Sequence, residues 1–207
     1  AFSDGSTYKT LNFDEQVLGW TSLFSYKPDD MFSLGNNFYS TTSGHSDTKD
    51  GTIYQHYVTQ DDAGSPIPRA TFYGTTSNSN ITTVFNIQPS SVKRFKTINY
   101  EGGPNWTLES FITNEDTANA VAKYSVPTTL ADMEASLLAN KFKAKEDKYF
   151  ANLINTSAAT SGEVIYGKSI SGIKGFYAIA KLSVVNDASS GTNELFATST
   201  DFTESSY

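Results

Sequence analysis

The chain has 207 residues, of which 38% are hydrophobic and 14% aromatic, and its formal net charge is -7. It contains no cysteine, which excludes a disulfide scaffold, a thiolate metal site and catalysis by a cysteine nucleophile. The acidic balance argues against nucleic-acid binding, because the neutralisation of phosphates requires clustered Lys and Arg. No run approaches about 18 apolar residues, so no membrane-spanning helix is expected.

Short strand-like runs alternate with turn-rich segments along the chain. The aromatic rings favour sheets, because flat rings pack well across the face of a strand. Period-two alternation places Trp20, Ser22, Phe24 and Tyr26 on one face of the first clear run. Similar runs follow at 52–58, 80–87 and 175–185. The sequence therefore predicts a mainly β fold of antiparallel sheets, either propeller-like or sandwich-like.

One short helix is predicted over 129–142. Pro127 precedes it, Thr129 and Asp132 can cap its start, and its apolar residues approximate one helical face. Composition shifts near this segment, with more Ala and fewer aromatics. We therefore expect a sheet-rich part over 1–112, followed over 113–207 by the helix and a second set of strands, within two domains or one continuous domain.

The stretch "VKRFKTINYEGGPNW" (92–106) combines three cations with aromatics and one carboxylate. On an extended strand Lys93 and Arg94 point to opposite faces, and Lys96 joins Arg94. This pattern is typical of an edge or solvated strand, where lysines discourage stray sheet pairing. Glu101 lies within reach of these cations, and the strand leads into a Gly-Gly-Pro turn.

Residue types that support catalysis or metal binding are present, but their contexts favour structural roles. His45 lies in a turn and His56 in a strand beside tyrosines, and no serine has the context of a nucleophile. The candidate carboxylates for hydrolysis are Asp29, Asp30, Asp61, Asp62 and Glu101. Most of them lie in turns, where an Asp side chain commonly accepts hydrogen bonds from the backbone. The segment "DTKDGT" (47–52) lacks the spacing of a calcium loop. We expect no catalytic residue, metal or cofactor.

Several ordered segments together resemble the C-terminal region of large virion structural proteins of tailed bacteriophages, marine T4-like phages and their relatives. The resemblance rests on "FDEQVLGWTSLFSYKPDDMFSLGNNFYS", "GTIYQHYV", "RATFYGTTSNSNITTVFNIQPSSVKRFKTINYEG", "KAKEDKYFANLI" and "SGIKGFYAIAKL". It implies that the chain is a C-terminal fragment of a longer protein. It also implies architectural roles for the matching residues, which are Gly19, Trp20, Phe72, Tyr73, Gly74, Lys93, Phe95, Lys96, Asn99, Tyr100, Glu101 and Gly102.

The resemblance predicts a non-enzymatic structural component of the virion, in the tail or baseplate. Its expected partners are other virion structural proteins and copies of itself, with no nucleic acid and no membrane. Two other functions remain open at this point. One is a carbohydrate-binding module of a receptor-binding tail protein, using Trp20, Trp106, Tyr54 and Tyr57 as stacking rings. The other is a hydrolase that uses Asp29, Asp61 or Glu101.

Overall fold

A computed structural model describes residues 2–3, 8–42, 52–126, 140–156, 172–187 and 193–205. These residues form strands, turns and loops and contain no helix. In chain order the strands are β1 (Phe2–Ser3), β2 (Tyr8–Asp14), β3 (Gly19–Phe24), β4 (Met31–Leu34), β5 (Asn37–Thr41), β6 (Ile53–Gln55), β7 (Thr71–Phe72), β8 (Thr75–Thr76), β9 (Ser79–Phe85), β10 (Lys93–Gly102), β11 (Thr107–Thr113), β12 (Thr117–Ala118), β13 (Lys143–Lys145), β14 (Lys148–Asn152), β15 (Ile173–Gly175), β16 (Ala178–Val184) and β17 (Leu195–Glu204).

The chain divides into two compact units. Unit 1 contains residues 1–77 and 186–189, and unit 2 contains residues 78–185 and 190–207. The boundary expected near residue 112 falls inside β11, which pairs with β16. Strands from the two predicted parts therefore share sheets, and the observed division comes earlier in the chain.

The described residues of unit 1 form three small antiparallel sheets with the orders β1-β2-β3, β4-β5-β6 and β7-β8. Its interior is aromatic. Tyr26 stacks on Phe72 with 4.3 Å between ring centroids, and it meets Tyr73 edge-on at 5.6 Å. Both tyrosines are buried. Strands this short bury little surface on their own, so ring contacts between the sheets supply much of the packing.

Unit 2 contains two larger sheets that share one hydrophobic core. The first has the order β13-β14-β10-β15, with β17 on the other side of β10, and the second has the order β12-β11-β16-β9. Phe95 of β10 meets Phe111 of β11 across the core with 5.8 Å between ring centroids. The alternation predicted for β16 is confirmed, because Ala178, Ala180, Leu182 and Val184 are all buried.

A β-bulge in β10 changes which of its residues face the core. Phe95 pairs with Phe202 and Thr97 with Asp201, so Lys96 is an extra residue opposite β17. One extra residue shifts the side-chain alternation by one position. Residues 93 and 95 face inward before the bulge, and residues 98 and 100 face inward after it. Arg94 and Lys96 remain exposed, on the opposite face from Lys93 as predicted.

Three expectations are corrected by these observations. Residues 129–139 of the predicted helix lie outside the described residues, and its last residues are not helical, since Lys141 forms a β-bridge with Ala122. The described sheets are open, so a propeller-like arrangement is wrong. β10 is a central strand between β14 and β17 and not an edge strand. The mainly β, antiparallel class is confirmed.

Candidate functional site

Lys93 is a fully buried cation at the start of β10. Its ammonium group donates hydrogen bonds of 2.9 Å to the carbonyl oxygens of Gln88 and Ser91, in the turn before β10. Burial lowers the pKa of Lys93, and the negative charge of Glu204 opposes this shift. The lysine therefore fastens the turn to β10 and does not present its charge to a ligand.

Glu101 pairs with a cation that the sequence did not indicate. Its carboxylate lies 2.7 Å from the ammonium group of Lys148, which sits opposite it on β14. Glu101 raises the pKa of Lys148 through this contact. Both side chains are largely exposed, and such pairs are screened by water. Glu101 is thus part of a cross-strand pair on the outer face of the sheet.

Gly102, one of the residues on which the family resemblance rests, contacts the same backbone carbonyl as Trp106 at the end of β10. Gly102 has φ +150, and a Cβ there would lie 2.2 Å from the carbonyl oxygen of Glu194. Trp106 donates its indole N–H to the same carbonyl at 2.9 Å and is buried. Trp106 therefore belongs to the core, which removes it from the stacking rings that the carbohydrate-binding alternative would use.

Trp20 lies on the surface instead. Its ring is 64% exposed and meets Phe13 edge-on at 5.2 Å. Leu18 and Leu23 nearby in sequence are also exposed. The β2–β3 hairpin thus carries an apolar surface, and a Cβ at Gly19 would make an ordinary contact of 3.9 Å with the backbone oxygen of Val17.

A hydrogen-bonded chain of three side chains lies in unit 1. The Ser40 hydroxyl is 2.6 Å from Nε2 of His56 and 2.9 Å from the Tyr73 hydroxyl. Burial lowers the pKa of His56, and burial raises the pKa of Tyr73 despite the Ser40 hydrogen bond. All three groups are therefore held in their neutral forms.

This Ser–His contact lacks the access that a nucleophile needs. Ser40 is fully buried, between His56 and Tyr73. Asp61 accepts backbone N–H bonds from Ala63 and Ser65, as predicted for a turn aspartate. No cluster of three metal-ligating residues occurs in the described part of the chain. His45 and most of segment 47–52 lie outside the described residues.

An aromatic pocket of about 300 Å³ opens beside the hydrogen-bonded side chains of Ser40, His56 and Tyr73. Residues 54–58 and 71–74 line it together with Ile67. Tyr57 is 82% exposed at φ 62, whereas Tyr73 at φ 52 is buried. Bulky residues rarely adopt positive φ, so this backbone is strained around the pocket. We call this feature the aromatic pocket.

The two sides of unit 2 differ in whether the outermost strands of its sheets are joined by further pairing. On one side the segment 117–122 joins both sheets, since Val121 bridges to Leu108 and Ala122 to Lys141. On the other side β9 and β17 lie close together. Among the described strands, β9 pairs only with β16, and β17 pairs only with β10. We call this side the open edge.

The second sheet also carries an apolar row on its outer face. Cross-strand register aligns Val84 of β9, Ile179 of β16 and Ile112 of β11. Their side chains are exposed by 60%, 37% and 43%, respectively. A Glu109–Lys181 ion pair of 2.5 Å lies on the same sheet, and Lys181 lowers the pKa of Glu109.

Reasoning from the sequence missed Ser40, Lys148 and the aromatic pocket. Ser40 is one of many serines, and Lys148 is one of several lysines, so no local signal distinguishes them. The alternation of aromatic and polar residues in "IYQHYV" (53–58) was the available signal for the pocket. In the described part of the chain, no helix is long and apolar enough to cross a membrane.

Residues 67–156 match the family model of the crassvirus muzzle protein C-terminal domain, which covers less than half of the chain. The matched segment includes all of β10 and the Phe72–Gly74 part of the aromatic pocket. No curated protein matches the chain. The match confirms the predicted virion location and supports a structural protein of a phage particle. It does not support T4-like marine phages specifically.

Proposed function

We propose that the chain is a non-enzymatic structural component of the phage tail or baseplate. It assembles with other virion proteins and with copies of itself through the open edge and the apolar row of unit 2. The match to a virion structural domain supports the general role. The observation that carries the mode of assembly is the open edge, where two strands have unpaired sides among the described residues.

The open edge is chemically suited to accept a strand from another chain. A strand with an unpaired side presents a row of backbone donors and acceptors, and natural monomers protect such edges with charged side chains, bulges or Pro. The seven residues of β9 include no charged residue and no Pro, whereas β17 has no Lys or Pro but carries Asp201, Glu204 and a register shift at Phe196. By contrast, β13 at the other end of the first sheet is Lys-Ala-Lys.

The apolar row adds a contact surface beside this edge. Val84, Ile179 and Ile112 form a continuous line across three strands and are not covered by the described residues. Burying apolar surface of this kind stabilises association by roughly 25 cal/mol per Å² before the costs of binding. A partner that adds a strand to β9 would lie directly beside Val84.

The arrangement of the polar groups supports a non-enzymatic role. The Ser40–His56 contact is fully buried at Ser40, and Glu101 forms an ion pair with Lys148. Asp61 is used as a turn cap. These groups stabilise the fold, and none of them combines exposure with a second catalytic group in the described residues.

Two measurements test this role. Mass spectrometry of purified particles should find the chain in stoichiometric amounts, and a particle map should place it in the tail or baseplate with β9 or β17 against a neighbouring chain. Absence from the particles would overturn the structural role. Presence with the open edge facing solvent would overturn the mode of assembly alone.

A further inference from the structure

We propose that the aromatic pocket of unit 1 binds a neutral saccharide. This goes beyond the structural role of the chain and does not depend on its position in the particle. The pocket has the size, the strained backbone and the chemistry that such a ligand requires, and each of these is visible in the described residues.

The size of the pocket is the first argument. Its volume of about 300 Å³ lies at the lower end of small-molecule sites, which span roughly 300–1,000 Å³. Tyr54 and Tyr57 lie on one stretch of its wall, and Phe72 and Tyr73 on the other. A small sugar unit fits such a space, with the rest of an oligosaccharide extending into solvent.

The backbone around the pocket is the second argument. Tyr57, Ala70 and Tyr73 all have positive φ, a backbone conformation that is unfavourable for residues other than glycine. The strain at Tyr73 is offset by burial and by its hydrogen bond to Ser40. Tyr57 is 82% exposed, and its ring contacts that of His56 only at the longer centroid distance of 6.4 Å. The fold therefore holds an aromatic ring in solvent at the pocket, as a ligand platform requires.

The chemistry of the lining is the third argument, and it selects the class of ligand. Residues 54–58 and 71–74 include no Asp, Glu, Lys or Arg. Burial lowers the pKa of His56, so its imidazole is neutral above mildly acidic pH. Aromatic faces stack on the C–H face of a sugar, and the side chains of Gln55 and Thr71 with the tyrosine hydroxyls can bond to its hydroxyls. An ionic ligand would find no countercharge in these stretches.

The test uses the full chain and neutral oligosaccharides. Saturation-transfer NMR is recorded with cellotetraose, maltotetraose and chitotetraose. At least one is expected to give a signal, and Tyr57→Gly should reduce that signal at least tenfold. This variant removes the ring while relieving the backbone strain, so it should fold.

Tyr177→Ala provides the matched control, because Tyr177 is a partly exposed tyrosine of unit 2 at 39%. It should leave the sugar signal unchanged. The proposal is overturned if none of the three sugars gives a signal. It is also overturned if Tyr57→Gly retains the full signal, or if only an apolar probe such as indole occupies the pocket.

Discussion

The Ser40 hydroxyl lies 2.6 Å from Nε2 of His56, in a setting that favours the neutral imidazole. Ser40 is fully buried, and rings of Tyr26 and Phe38 lie within 5.4 Å and 4.9 Å of the His56 ring. A pair of this kind resembles part of a catalytic centre in composition. Here it links Ser40 of β5 and Tyr73 to His56, which was expected in a strand but directly follows the end of β6.

The first prediction concerns acid stability. Burial lowers the pKa of His56 below its usual 6.5, so the folded state binds a proton less readily than the unfolded state. The stability contributed by neutral His56 is present above about pH 6.5 and is lost as the pH falls through the lower folded pKa. Thermal unfolding followed by near-UV circular dichroism should show the protein becoming less stable as the pH falls below about 6.5.

The matched controls are the two histidine variants. His56→Gln should flatten this pH dependence, and His45→Gln should retain it. A wild-type profile that stays flat over this range would show that the environment of His56 does not control its protonation.

The second prediction compares neighbouring cations of β10. Lys93→Met should lower the free energy of unfolding by about 1–3 kcal/mol, because two carbonyls of the preceding turn lose their donor in a buried place. Arg94→Met, one residue away and exposed, should change it by less than about 0.5 kcal/mol. Urea unfolding measures both. Equal effects would mean that the hydrogen bonds of Lys93 contribute no net stability.

The third prediction compares Gly19 and Gly102, two of the glycines on which the family resemblance rests. Gly102→Ala should destabilise the protein by about 2 kcal/mol or more, because its Cβ would collide with the Glu194 carbonyl at an unfavourable φ. Gly19→Ala should have little effect, since the nearest atom there is 3.9 Å away. Melting temperatures give the comparison. A Gly102→Ala variant as stable as wild type would contradict the close approach.

The fourth prediction addresses assembly. Val84→Lys should leave the melting temperature nearly unchanged, because this side chain is 60% exposed, yet it should reduce incorporation of the chain into particles severalfold. Asn80→Lys, on the same strand and also exposed, is the control. Complementation of a deletion phage, followed by quantitative mass spectrometry, measures incorporation. Equal incorporation of both variants would remove the apolar row from the proposed interface.

The sequence indicated the faces of individual strands better than it indicated which strands pair side by side. Alternation identified the buried face of β16, because a strand packed on one side must place apolar residues at every second position. It also separated Lys93 from Arg94 and Lys96. Of the two positions expected for β10, edge or solvated, the edge position was wrong. Arg94 and Lys96 are exposed on one face, but the strand is paired on both sides by segments from distant parts of the chain.

The sequence did not predict which individual aromatic residues are buried. Trp20 and Trp106 are each followed by a threonine, yet the first is 64% exposed and the second is buried. The difference depends on Glu194, which lies 88 positions away in sequence from Trp106 and accepts its indole N–H. Local patterns contain no information about such a partner.

By itself the sequence determined the β class, the absence of cysteine chemistry, the faces of β16 and the segments on which a likeness to phage virion proteins rests, because these depend on composition and on neighbours along the chain. Tertiary structure alone decided which lysine pairs with Glu101, which tryptophan is buried, that Ser40 joins His56 to Tyr73, and which side of unit 2 is open. Each of these depends on contacts between residues far apart in sequence, and the free energy of such contacts depends on burial that exists only after the sheets have packed.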